Sequence, residues 1–269
     1  VMLFIAYIPY SKGMHMLTDL ANLVFKDDLS ARRLPKVGDK APVGYAKLED
    51  LTWKELLDLD ACTKCGRCHI ACPAMNSGAP LSPRDLILDL REYADQQAHT
   101  QMWFHQRLFG ENDNGRTVAG EVIKENVLWS CTTCRACVEQ CPVGIEHVAT
   151  IVQMRRHLVN EGKMDDGLQE ALMNLSKYGN SFGKSERLRA KWTDGLSFKI
   201  KDARKEPVDY LWFVGDYASY NPRLQEISRT VARVLHVAGV DFGLMYEAER
   251  NAGNDVRRVG EEGLFEMLV

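Results

Sequence analysis

Cys62-Thr63-Lys64-Cys65-Gly66-Arg67-Cys68-His69-Ile70-Ala71-Cys72-Pro73 returns downstream as Cys131-Thr132-Thr133-Cys134-Arg135-Ala136-Cys137-Val138-Glu139-Gln140-Cys141-Pro142. Both copies read C-x2-C-x2-C-x3-C-P, and together they hold all 8 cysteines of the chain. Three cysteines spaced by two residues in a tight loop can aim three thiolates at one small volume. A continuous loop cannot close the tetrahedron, so the cysteine before proline goes to the other site. Proline then turns the chain away and removes a backbone donor. The spacing therefore predicts two [4Fe–4S] clusters. Cys62, Cys65, Cys68 and Cys141 hold one; Cys131, Cys134, Cys137 and Cys72 hold the other.

Two plainer uses of cysteine fit less well. Disulfide frameworks belong to small secreted chains dense in cysteine, and this one has 8 cysteines in 269 residues. Structural zinc uses four ligands, commonly as two C-x2-C pairs, which leaves a third cysteine and the Cys-Pro surplus. Thiols kept for metal imply assembly in a reducing compartment.

Length leaves room for two domains, and 45% hydrophobic residues support a real core. The formal net charge of −3 shows no basic footprint for nucleic acid. Residues 1–7 are an apolar run followed by Ile8-Pro9. That is shorter than the roughly 20 residues a spanning helix needs, and it lacks the basic leader of a signal peptide. The run reads either as the last turns of a transmembrane helix or as a buried segment. Lys26, Arg32, Arg33 and Lys36 follow, as in a cytoplasmic juxtamembrane stretch. Pro35, Gly38, Pro42 and Gly44 then make an extended connection.

The globular part is expected from Leu51. Thr52 with Glu55 three residues on is a capping box, and a short helix then delivers Cys62. Lys64 and Arg67 lie inside the first loop, where cations favour a reduced cluster. Ser82-Pro83 opens a helix with Leu86, Leu90 and Tyr93 on one face. His99 and His105 have no matched ligand spacing. Helices are expected over 118–130, 145–160 and 164–175, the last ended by Tyr178-Gly179. The glycine-rich stretch 179–185 fails the phosphate-loop spacing and is expected to be a structured loop. A buried strand at 208–214, a helix at 222–238 with Ile227, Val231, Val234 and Leu235 on one side, and a strand at 240–245 predict a βαβ unit.

The helical spacer between the two motifs resembles the all-helical ferredoxin domain of succinate dehydrogenase-like and heterodisulfide-reductase-like enzymes. The segment from Pro9 to His15 resembles the end of the last membrane helix in the cytochrome b subunit of respiratory nitrate reductases, which makes His15 a possible haem b ligand. Together with the 78–83 run, Phe213-Val214-Gly215 and the 255–260 run, these features resemble membrane-associated, heterodisulfide-reductase-related iron–sulfur oxidoreductases. That family joins a haem b membrane part to a two-cluster ferredoxin and cysteine-rich CCG domains. Asp216 and Asn251 stand where a CCG domain carries cysteines, so the noncubane cluster is expected to be absent.

The expected fold is mainly α. Residues 1–25 would be the end of a transmembrane helix with a membrane-surface segment, and 26–50 a linker. Residues 51–200 would be the helical two-[4Fe–4S] domain, and 201–269 a small α/β, CCG-like domain without cluster cysteines. The expected function is electron transfer between a soluble donor, such as electron-transfer flavoprotein or a dehydrogenase, and a membrane haem b/menaquinone site. Its place would be the cytoplasmic side of the cell inner membrane, against a cytochrome b domain or subunit. The rival is a disulfide-reductase-like catalytic subunit. No paired carboxylates or triad mark substrate chemistry on this chain.

Overall fold

A computed structural model of the chain describes residues 13–30, 32–34, 43–101 and 115–269, without the side chains of 98–101. The apolar run at 1–7, Lys36, the side chain of His99, His105 and the loop at 110–114 lie outside the described residues. Two compact units emerge. The first holds residues up to Lys163 with Arg258–Gly260; the second holds Met164–Arg257 and Glu261–Val269.

The first unit is helical, and its described residues carry isolated bridges but no sheet. Its helices are α1 (His15–Val24), α2 (Trp53–Ala61), α3 (Arg67–Ile70), α4 (Pro73–Asn76), α5 (Pro83–Gln101), α6 (Glu125–Trp129), α7 (Ala136–Gln140) and α8 (His147–Asn160). The capping box forms: the Thr52 hydroxyl accepts from the Glu55 N–H, and the Glu55 carboxylate accepts from the Thr52 N–H at 2.9 Å. Ser82 caps α5, its hydroxyl accepting from the Asp85 N–H at 3.3 Å. Leu86, Ile87, Leu90 and Tyr93 of α5 meet Ile151, Met154 and Leu158 of α8 in one buried cluster. Each such side chain contributes about 1.5–3 kcal/mol by leaving water. Gly44 is needed where the chain crosses α8, because a Cβ there would collide with the His157 backbone nitrogen. The helix expected over 118–130 shrinks to α6. Gly120, at φ +106, turns the preceding residues into a tight loop bridged between Ala119 and Ile123.

No helix among the described residues is long and apolar enough to cross a membrane. α1 instead turns its polar side chains inward. Asn22 is fully buried and donates to Asp58 and to the Val143 carbonyl, both at 2.8 Å. Met16, Leu17, Leu20, Leu23 and Val24 are left exposed.

The second unit has α9 (Asp166–Tyr178), β1 (Lys201–Asp202), β2 (Tyr210–Leu211), α10 (Asp216–Tyr220), α11 (Pro222–Val237), β3 (Phe242–Leu244), α12 (Asn254–Val259, whose last two residues fall in the first unit) and α13 (Glu262–Leu268). The parallel sheet has the order β1-β3-β2, so the expected βαβ unit is present with β3 as its centre. The strand expected to be buried over 208–214 is corrected. Only Tyr210 and Leu211 pair, and they are 65% and 56% exposed, because β2 is an edge with a neighbour on one side. α11 buries small Ser228 and Ala232, while Ile227, Val231 and Val234 face outward. β1 is two residues long and left no periodic signal.

Asn180 organises the 179–185 loop. Its amide donates to the carbonyls of Tyr178 and Lys184 and accepts from the N–H groups of Phe182 and Lys184. Beside it, Arg189 bridges Asp216 at 2.7 Å and Glu249 at 2.9 Å, all three side chains 3% exposed. Glu249 also accepts from the N–H groups of Val214 and Gly215, tying the end of the β2 segment to this pair. Removing one member of such a pair strands buried charge. Arg189→Met is expected to cost about 3–5 kcal/mol of stability, read as a lowered midpoint in denaturant; a loss under about 1 kcal/mol would mean the pair is not what anchors this unit.

Candidate metal centre

The two cysteine runs fold alike. Lys64 and Thr133 take φ of 58° and 53°, and Gly66 and Arg135 take φ of 78° and 69°. Only glycine enters that region at no cost, so three of these four positions store strain that the surroundings must hold. Each left-handed residue at Gly66 and Arg135 starts a short helix, α3 or α7, and the two helices pack together. Cys72 and Cys141 then leave in matching extended conformations, φ −76° ψ 118° and φ −76° ψ 115°. The repeat in sequence is thus a repeat in backbone.

All eight thiols are free. Cys62, Cys68, Cys72 and Cys137 are buried, Cys131 and Cys141 half-buried, and Cys65 and Cys134 exposed. Backbone N–H groups point at the sulfurs: Thr133 at Cys131 and Ile145 at Cys141, each at 3.4 Å. Burial pushes the Cys68 thiol up to about 12, and negative charge on Cys141, Cys62 and Cys65 pushes the same way. Burial likewise raises Cys137, helped by charge on Cys131, Cys68, Cys134 and Cys72. Cys62 feels Cys141 and Cys65, and Cys131 feels Cys134 and Cys72. Charge on Cys141 thus acts on thiols of the first loop and charge on Cys72 on thiols of the second, while Cys68 also acts on Cys137. Cys68 and Cys137 share one buried cluster with Val138, Val148 and Val152, which brings the two quartets side by side.

A small, partly open cavity is lined by Cys62, Cys65, Cys68 and Cys141, with Lys64, Arg84 and His147. His147 is 1% exposed; burial pushes its imidazole down to about 4, and its Nδ1 has no partner among the described residues. Near the other quartet, Arg155 donates from Nε to the Leu128 carbonyl at 3.0 Å, and from Nη2 to the same carbonyl at 2.6 Å and to the Cys131 carbonyl. Asp58, held by Lys54 at 2.7 Å, has its carboxyl pushed up to about 6 by burial. It is one of the charges felt by Cys141.

These features fit an iron–sulfur group. Four thiolates cannot share a buried site unless metal supplies the compensating charge. Four cysteines from the two runs line the first cavity. Among the described residues no three His, Cys, Asp or Glu side chains converge as a single ion requires.

Other residues named from sequence stand apart. His15 opens α1, half-exposed. His69 has its Nδ1 within 2.8 Å of the Ser82 hydroxyl, so it braces the start of α5. Lys64 and Arg67 are exposed. Asp216 and Asn251 meet each other, the Asn251 amide donating to the Asp216 carboxylate at 2.8 Å. Asp58, His147 and Arg155 were missed. The available signal was a polar residue on the apolar face of a helix.

A family model described as a 4Fe-4S dicluster domain matches residues 54–142. The match takes in both cysteine runs. Curated relatives extend beyond it. A probable iron-sulfur-binding oxidoreductase of Bacillus subtilis is 36% identical over 98% of this chain and 43% of its own length. The EtfAB:quinone oxidoreductase of Syntrophomonas wolfei is 33% identical over 99% of this chain and 40% of its own. A component of the dihydromethanophenazine:CoB–CoM heterodisulfide reductase of Methanosarcina barkeri is 32% identical over 86% of this chain and 52% of its own. The chain is thus similar to iron–sulfur oxidoreductases of the heterodisulfide reductase and EtfAB:quinone oxidoreductase kind, and it spans about half or less of each of these relatives.

Exposure and hydrogen bonding order the free thiols. In cluster-free protein at pH 8, Cys65 has an N–H aimed at it from Arg67 that pulls its thiol down, so it is expected to alkylate first. Cys68 and Cys137 are expected last. Time-resolved peptide mapping reads the order, and early labelling of Cys137 would contradict the buried site.

Proposed function

We propose that this chain is an electron relay built on two [4Fe–4S] clusters. The first would be held by Cys62, Cys65, Cys68 and Cys141, and the second by Cys131, Cys134, Cys137 and Cys72. The observation that supports the reading is the cavity that Cys141 lines together with Cys62, Cys65 and Cys68 of the other run. A bound cluster supplies one-electron chemistry without substrate bonds being made or broken. The chain's own work is to hold the thiolates, exclude water with Val138, Val148 and Val152 around Cys68 and Cys137, and present both sites at the surface through Cys65 and Cys134.

The electrons would pass between a soluble donor, such as electron-transfer flavoprotein or a dehydrogenase, and a membrane haem b/menaquinone site, at the cytoplasmic side of the inner membrane. One relative's name, EtfAB:quinone oxidoreductase, supports this pairing. The exposed apolar face of α1, with Leu20 at 67% and Val24 at 76%, supports contact with a lipid surface. His15 at the start of α1 is the residue proposed to reach a haem b in an adjoining membrane part. A disulfide-reductase reading draws no support from the second unit, where Asp216 and Asn251 are engaged with each other and Asp216 with Arg189.

Cys141→Ser is expected to remove the first cluster and spare the second, and Cys72→Ser the reverse, each lowering iron by about four atoms per chain. If Cys141→Ser instead strips the cluster of its own loop, the exchange is wrong. For the membrane surface, Leu20→Glu with Val24→Glu is expected to weaken binding to phosphatidylglycerol vesicles at least about tenfold, since losing two buried apolar side chains exceeds the 1.4 kcal/mol that a factor of ten represents. Unchanged flotation would remove α1 from the membrane contact.

A further inference from the structure

Arg155 is 4% exposed, in the middle of α8. Its guanidinium donates to three backbone carbonyls: Leu128, Cys131 and, at 3.2 Å, Arg258. It also lies over the Trp129 ring at 5.3 Å. Among the described residues the charge found to act on it is that of Cys131, and no carboxylate is named beside it. Each of these polar partners is neutral. A buried cation without an anion costs several kcal/mol, and proteins of ordinary stability rarely carry that cost for nothing.

The surroundings of the other quartet differ. There the buried carboxylate, Asp58, has its cation in Lys54 at 2.7 Å. Arg84 beside the first cavity is paired with Asp85 and more than a third exposed, so solvent screens it. Among the described residues, it is the second quartet that has a dry positive charge, without a carboxylate, against one of its ligands.

We infer that Arg155 is the built-in counter-charge of the second metal group, the one held by Cys131, Cys134, Cys137 and Cys72, and that it makes this group the more readily reduced of the two. The inference rests on the cluster reading above. A four-thiolate cubane is anionic in both redox states, and each reduction adds one electron and therefore one negative charge, with nothing released. A fixed cation in a low-dielectric position favours the state with the extra charge and raises the potential. Electrons entering the chain would settle at the second group. Lys64 and Arg67, the cations that stand out in the sequence, are exposed and weaker in this role.

The test is a dithionite titration of the full, cluster-loaded chain followed by EPR, with iron and sulfide measured on each sample. Wild type is expected to reduce in two waves, the higher one missing in Cys72→Ser. Arg155→Met is expected to shift the higher wave to lower potential and leave the other nearly in place. Arg155→Gln, which can still donate to the carbonyls but has no charge, is expected to shift it likewise. Arg155→Lys is expected to hold it near the wild-type value. If Arg155→Gln keeps the wild-type potential, or Arg155→Lys behaves like Arg155→Met, the role is overturned. Should Arg155→Met and Arg155→Gln fail to retain the second cluster, iron content carries the test: retention in Arg155→Lys supports the counter-charge, and loss in all three overturns it in favour of packing. A wild-type chain that binds no iron would overturn the cluster reading itself, which the iron assay reports separately.

Discussion

The burial of cysteine thiols close to one another is the constraint on which the first unit depends. Burial raises the pKa of Cys68 and Cys137, and negative charge on neighbouring cysteines raises them further. The folded chain can bring them together because N–H groups of Thr133 and Ile145 point at two of the sulfurs. Completing the site takes metal charge. Much of the first unit follows from that need. Left-handed residues at Lys64, Gly66, Thr133 and Arg135 aim the loops, and α3 against α7 sets one loop beside the other. The strain at three non-glycine positions is stable only because the packed helices leave the loops no alternative.

The proposed exchange of fourth thiols would tie the two loops together. On that proposal neither loop has a complete ligand set of its own. Cys72 is part of the large core cluster, with Cys131 and Cys141 packed against it, while Cys68 and Cys137 form a second patch with α8. α8 is therefore both core and site wall. It packs α5 on one face, lines the first cavity with His147, and places Arg155 beside Cys131.

How much of this was legible depended on which force left a pattern. The cysteine spacing announced the repeated backbone of the two runs, because a fixed local spacing imposes a fixed local geometry. The Thr52–Glu55 box, the Ser82 cap and the Gly179 stop were legible because they satisfy helix-end groups with local residues. The 118–130 segment misled, since its apolar residues are buried by a loop that Gly120 turns. The 208–214 run read as a core strand, yet Tyr210 and Leu211 lie on an exposed edge. Apolar composition reports hydrophobic demand but not which partner meets it. α1 is the same lesson reversed: its periodicity is clear, but Asn22 points in and Leu20 out. Arg155, Asp58 and His147 act through long-range partners, Arg155 with Cys131, Asp58 with Asn22, and no local spacing announces such pairs.

Chemical analysis joined to EPR of the anaerobically reconstituted chain tests the central claim most directly. Two cubanes predict about eight irons and eight sulfides per chain, and on full reduction a spectrum broadened by magnetic interaction between neighbouring clusters. Zinc in place of iron, or about four irons with a single uncoupled signal, would contradict the account.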